Sequence, residues 1–149
     1  MKRSNAIARR LQEVMLDGDW VAQANFKQVI QAVYWTEALA KTNNLNSIAE
    51  LTYHINYYLS GLLNVFEGGK LEIRDKYSFD LPPINAEADW KELVEEFITN
   101  ANAFVLYVKA MSNEKLDATF EDEKYGTYQR NIEGIIEHSY YHLGQVVLI

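Results

Sequence analysis

Residues 131–149 read NIEGIIEHSYYHLGQVVLI and contain His138 and His142, two of the three histidines in the chain. Within this stretch Ile132, Ile135, Ile136, Leu143, Val146 and Val147 recur at the spacing of an amphipathic helix. Thr127 precedes it as an acceptable N-cap. Residues four apart on a helix share a face, so His138 and His142 present two imidazole nitrogens toward one point. Gln145, three past His142 and seven past His138, borders the same stripe.

The third histidine, His54, belongs to an upstream helix with a clear start. Ser47-Ile48-Ala49-Glu50 has capping-box spacing, in which the Ser oxygen and the Glu carboxylate satisfy reciprocal backbone donors. Leu51, Ile55, Tyr58, Leu59, Leu62 and Phe66 follow at helical intervals, and Gly68-Gly69 supplies the stop. His54 lies three after Leu51 and four before Tyr58, on the apolar face. A bundle takes a third ligand from a facing helix, and His54 is the one histidine left to supply it.

The remaining segments complete a helical pattern. Lys2 to Leu16 places Ile7, Leu11, Val14 and Met15 on one face. Gly18 interrupts it, and Asp19 is expected to cap a second run through Val33, with Trp20, Phe26, Val29, Ile30 and Val33 as its apolar positions. Thr36 to Ala40 adds a short turn before the polar loop 41–46. Trp90 to Met111 is a third long helix, with Trp90, Leu93, Val94, Phe97, Ala101, Phe104, Val108 and Met111 in register. Residues 70–85 form a long irregular connection in which Pro82-Pro83 forbid helix, and a loop of that length often covers something. Asn113 to Thr119 reads as a short turn, and Glu121-Asp122-Glu123 as a solvated loop. The expected architecture is all-α: one four-helix-bundle domain over residues 1–149, antiparallel, with one long crossover loop.

Composition narrows the function. The chain has 149 residues, and its hydrophobic fraction of 48% with 13% aromatics excludes disorder, while only two prolines and seven glycines favour helix. Its formal charge of −7 argues against nucleic acid and anionic membrane surfaces as partners. Lys2, Arg3, Arg9 and Arg10 form the one basic cluster, read as a solvated helix face. With no cysteine there are no disulfides, thiolate ligands or Cys nucleophiles. No apolar run approaches the roughly 20 residues of a membrane span, and no signal core follows the basic N-terminus. The expected location is the cytoplasm.

Two readings of the histidines stand side by side. A helix pair four apart can be surface residues, with His54 a hydrogen-bonded core group; or the three imidazoles can share one divalent ion. The helical zinc-protease motif uses the same spacing, with a Glu directly after the first His as general base. Here Ser139 holds that place, and Glu137 lies about 100° round the helix from His138, so that reaction is not expected. Three neutral imidazoles leave an ion its full charge and an open position. Such a centre lowers the pKa of a bound water or holds a thiolate. Nitrogen ligation suits zinc, nickel, copper or iron rather than magnesium or calcium.

Two segments carry a family resemblance. Ser47-Ile48-Ala49-Glu50-Leu51-Thr52-Tyr53-His54 resembles the S-I-x-E-L-x-x-H segment of DinB-like proteins, and His138-Ser139-Tyr140-Tyr141-His142-Leu143-Gly144-Gln145 is similar to their closing H-x-x-Y-H-x-G-Q segment. Trp20 after a Gly-Asp turn and Thr127 before the final helix extend the likeness. It implies a four-helix bundle with an unusual helix order, a divalent transition metal (zinc or nickel first) on His54, His138 and His142, and frequent dimers. Characterised relatives include thiol-dependent transferases and isomerases, notably with bacillithiol or mycothiol. The sequence departs from the pattern at Tyr58, where the family commonly has Trp. It ends at Ile149, so no accessory domain for a large cofactor is expected.

The leading expectation is therefore a metal-dependent thiol S-transferase or hydrolase acting on a small molecule, with a low-molecular-weight thiol as cosubstrate. Tyr141 and Gln145 are the candidates for supporting catalytic roles. Tyr57, Tyr58 and Phe66 read as packing. The competing expectation is a non-catalytic small-molecule-binding or dimerising bundle with a structural metal or none.

Overall fold

Ile7, Ala8 and Leu11 bury one face of helix α1 (Arg3–Gln12) in the computed structural model, which describes residues 2–149. The helix widens at its end into a π turn over Glu13–Asp17, where the Gly18 N–H donates to the Glu13 carbonyl at 3.2 Å. A Cβ on Gly18 would collide with the Glu13 backbone, so the turn needs glycine there.

The segment after Gly18 corrects the expectation of a helix capped by Asp19. Residues 19–24 loop outward, with Ala22 and Gln23 in the left-handed region at φ 58° and 53°. Trp20 is 86% exposed rather than part of an apolar face. Helix α2 (Phe26–Ala32) starts instead at Asn25. The Asn25 Oδ1 accepts from the Gln28 N–H at 2.9 Å while its Nδ2 donates to the Gly18 carbonyl at 3.0 Å. Both side-chain groups are thereby satisfied in a buried position. Helix α3 (Trp35–Leu39) follows directly.

The long helices α4 (Ile48–Phe66), α5 (Glu87–Ala110) and α7 (Tyr128–Leu148) join α1 to make the bundle, with α6 (Asn113–Asp117) bridging α5 to α7. Helix α5 begins three residues before Trp90, because the Asp89 carboxylate accepts from the Asn85 and Ala86 N–H groups and caps the helix from within. Thr127 caps α7 as expected, its Oγ1 accepting from the Arg130 N–H at 3.1 Å.

Contacts between side chains give the helix directions. Ser4 at the start of α1 meets Lys109 at the end of α5, an antiparallel pair. On α4 and α7, His54 faces His142 and Phe66 faces Tyr128, again antiparallel. Along α4 and α5, Asn56 meets Asn100 and Phe66 meets Tyr107, so these two run the same way. The crossover between them returns the chain to the end it came from. α1 and α4 each pack against both α5 and α7, which places them diagonally. Phe26, Phe97, Phe104, Phe120 and Ile132 fill the centre, each 1% exposed or less. Among the described residues no helix is long and apolar enough to cross a membrane.

The three N-terminal arginines are paired within the fold. Arg3 pairs with Asp117 at 2.8 Å, Arg9 with Glu13 at 3.1 Å, and Arg10 with Glu133 at 3.8 Å.

Candidate metal centre

The α4 cap sets the position of the first histidine. The Ser47 Oγ accepts from the Glu50 N–H at 3.2 Å, and the Glu50 carboxylate accepts from the Ser47 N–H at 2.8 Å. Lys41 holds the same carboxylate at 2.8 Å. Two turns later His54 points inward and is 6% exposed. Its Nδ1–H donates to the Ser78 carbonyl at 3.2 Å, and Phe79 stacks on its ring with centroids 4.0 Å apart. Ser78 and Phe79 both belong to the crossover. The long irregular connection thus does cover something: it forms one wall of the His54 environment.

Helix α7 supplies the other two rings from one face. The His138 Nε2 lies 3.0 Å from the His54 Nε2 and 2.8 Å from the His142 Nε2. All three nitrogens lie within 4.8 Å of one another. The His142 Nδ1–H donates to the Gln145 Oε1 at 2.6 Å. Tyr58 meets His54 and His138 edge-on, at 5.1 and 5.3 Å between centroids, and its hydroxyl donates to the Asp75 carboxylate at 2.8 Å.

This hydrogen-bonding pattern tests whether an ion fits. With the Nδ1 protons of His54 and His142 engaged, their Nε2 atoms carry lone pairs. Both lone pairs face the His138 Nε2, which has at most one proton and can donate fully to only one of them. One lone-pair contact is left uncompensated, in a place where an uncompensated polar group is costly. A cation answers all three nitrogens at once. Two nitrogens each about 2.0–2.1 Å from one ion in a tetrahedral shell sit about 3.3 Å apart, so an ion would spread the two close pairs, at 3.0 and 2.8 Å, by a few tenths of an ångström and draw the wider pair in. The outer imidazoles also carry the supporting acceptors, a backbone carbonyl and a side-chain amide, that fix the rings of metal-bound histidines. The cluster can hold a metal ion.

Electrostatics agree. Burial, with a lesser contribution from neighbouring His142, lowers the pKa of His54 from 6.5 to about 4. Burial, then His142 and His54, bring His138 to about 4 as well. Burial lowers His142, opposed by its bond to Gln145. The neutral imidazole that a metal requires is the form the site favours near neutral pH.

Of the other residues singled out in the sequence, Gln145 joins the cluster through His142. Tyr141 borders it from the solvent side: it is 66% exposed, and its ring meets that of His142 in a T-shaped contact with centroids 4.9 Å apart. Ser139 is buried and donates to the Ile135 carbonyl at 2.6 Å, and Glu137 is bound outside by Arg130 at 3.1 Å. Ser139 holds the general-base position of a helical zinc protease but offers no carboxylate, and Glu137 lies away from it. Tyr58 was legible as a neighbour, one turn after His54 on the same face, but its bond to Asp75 was not. The Ser78 carbonyl and Phe79 had no signal in the sequence, because a backbone acceptor and a non-local stack leave none.

An open cleft of about 770 Å³ leads to the cluster, lined in part by Tyr58, Asp75, Phe120, Asn131 and His138. A smaller cavity of about 380 Å³, lined in part by Leu45, Leu51, Gln145 and Leu148, lies on the Gln145 side.

The family model of the DinB superfamily matches residues 10–146. No curated protein and no solved structure matches the chain. The matched region takes in α4 and nearly all of α7, and with them His54, His138, His142 and Gln145. The chain belongs to the DinB superfamily.

Proposed function

We propose that this protein is a metal-dependent enzyme of the thiol S-transferase type, acting on a small molecule in the cleft at His138. His54, His138 and His142 are the ligands of a divalent transition metal, zinc or nickel. The observation that carries the reading is that the three-nitrogen cluster opens through His138 onto a cleft. A purely structural ion calls for a closed coordination shell, and a catalytic one for an accessible side.

Bound there, the ion supplies Lewis acidity, which lowers the pKa of a thiol or a water. The chain's own groups do the rest. Ser78 and Gln145 hold the outer imidazoles in one tautomer and orientation. Phe79 shields one face of His54 from water. Asp75 is the one carboxylate among the described residues lining the cleft, and Tyr58 orients it. In the transfer, Asp75 takes the S–H proton, the sulfur pair forms a bond to the electrophilic carbon, and the leaving group departs with its bonding pair. The absence of cysteine in the chain fits a thiol supplied from outside. The same open side serves hydrolysis when water replaces the thiol.

The test is metal content by elemental mass spectrometry on untagged protein prepared without chelator, beside the His142→Ala variant. About one transition-metal equivalent in the parent, lost in a folded variant, is expected. Loaded protein should then accelerate the reaction of small thiols with monobromobimane. A parent that takes up neither zinc nor nickel overturns the proposal.

A further inference from the structure

Arg74, Lys124 and Arg130 line the cleft that leads to His138, against the single carboxylate of Asp75. The chain as a whole carries a formal charge of −7, so three cations around one opening run against the rest of its surface. Elsewhere the arginines are paired: Arg3, Arg9 and Arg10 each meet a carboxylate. At the cleft only Arg130 is, with Glu137 at 3.1 Å. Among the described residues the Arg74 guanidinium and the Lys124 ammonium form no ion pair.

Both unpaired cations stand on fixed backbone. The Arg74 N–H donates to the Tyr57 hydroxyl at 2.9 Å, and the same hydroxyl donates to the Arg74 carbonyl at 3.1 Å. The Lys124 N–H donates to the Asp122 carboxylate at 3.0 Å, and its ammonium lies 5.0 Å from the Tyr125 ring centroid. The main chain is thereby anchored, and among the described residues neither charged head is held by a carboxylate. Asp75, the opposing charge, is already engaged by Tyr58. A cleft of about 770 Å³ is of the size that encloses a metabolite-sized ligand.

We infer that this cleft selects small polyanions, binding carboxylate or phosphate groups at Arg74 and Lys124 while the rest of the molecule reaches toward His138. Guanidinium and ammonium donors recognise both anions through charge-assisted hydrogen bonds. The role of the bound molecule rests on the proposed transfer reaction, but its binding does not. The substrate class is thus narrowed from any small thiol to one carried on an anionic body.

The experiment titrates mercaptosuccinate, a thiol with two carboxylates, and uncharged thioglycerol into the 149-residue protein by calorimetry. The Arg74→Gln/Lys124→Gln double variant is measured in parallel, with metal content and melting temperature recorded for each sample. The two side chains are exposed, so the variant should keep its melting temperature. Mercaptosuccinate should bind about tenfold tighter than thioglycerol, and the double variant should lose about that factor. Competition by inorganic phosphate would show that phosphate shares the site, and its absence that the site prefers carboxylates. Equal affinity for the two thiols, or an unchanged double variant, overturns the inference. Protein that holds no metal yet keeps the charge preference retains this inference and removes the proposed reaction, so the two failures are separable.

Discussion

Gln145 offers the most direct test of how the centre is built. Its Oε1 lies 2.6 Å from the His142 Nδ1, three residues back on the same helix. That bond fixes the tautomer, leaving the Nε2 lone pair directed at the cluster, and makes the imidazole a stronger donor. Loss of such a partner costs about 10–100-fold in metal affinity, or about 1.4–2.7 kcal/mol. Gln145 is only part-buried, so water can replace the lost acceptor, and Gln145→Ala should fall near the tenfold end. Gln145→Glu keeps the acceptor and adds negative charge, and should bind at least as tightly as the parent. Competition of each protein against a chromogenic zinc chelator at pH 7.5 measures the difference. Melting curves confirm folding, and His142→Ala sets the floor. Gln145→Ala within twofold of the parent, or Gln145→Glu as weak as Gln145→Ala, would refute the role assigned to this bond.

Two further outcomes concern stability. In the metal-free protein His54 and His138 resist protonation until about pH 4, whereas the unfolded chain takes up protons near pH 6.5. The unfolded state therefore binds more protons across that window, and stability should fall as pH drops from 6.5 toward 4. Melting temperatures over this range should slope less steeply for His138→Gln, and an unchanged slope counts against the burial argument. Gly61→Ala sets two effects in opposition: helix propensity favours alanine by up to about 1 kcal/mol, but the new Cβ collides with the Ile73 side chain from the crossover. Overpacking costs about 1–3 kcal/mol and should win, lowering the melting temperature by several degrees. A variant as stable as the parent would mean that Ile73 yields freely.

The parts of the structure legible in the sequence are those decided within a turn or two of the chain. Ser47 with Glu50, and Thr127 before the last helix, cap where their spacing says they should. The pairing of His138 with His142 follows from helical geometry, and the inward aim of His54 from the apolar residues around it. Asp19 misled because Asn25 is an equally competent cap, and nothing local ranks the two. The left-handed turn at Ala22 and Gln23 lacks the glycine that usually marks one. The start of α5 was hidden by Asp89, which caps from inside the helix. Tyr141 lies beside the histidine pair in sequence, and its position on α7 leaves it 66% exposed with its ring against His142. One wall around His54 comes from Ser78 and Phe79, and no periodicity announces a segment that folds back across twenty positions.

The parallel run of α4 and α5 has a consequence for assembly. His54 and His138 are separated by 84 positions, and no hairpin brings them together on the way. Such a long-range contact carries a loop-closure cost that local helix formation does not, so these two rings are expected to meet only once the crossover is laid down and α7 has docked. Before then α7 alone can offer only the His138 and His142 pair. An ion captured early is held by two ligands and exchanges readily; the third arrives with the finished topology. Retention of a metal by all three rings would therefore belong to the native state, and metal added during refolding should stabilise the end point without steering the path.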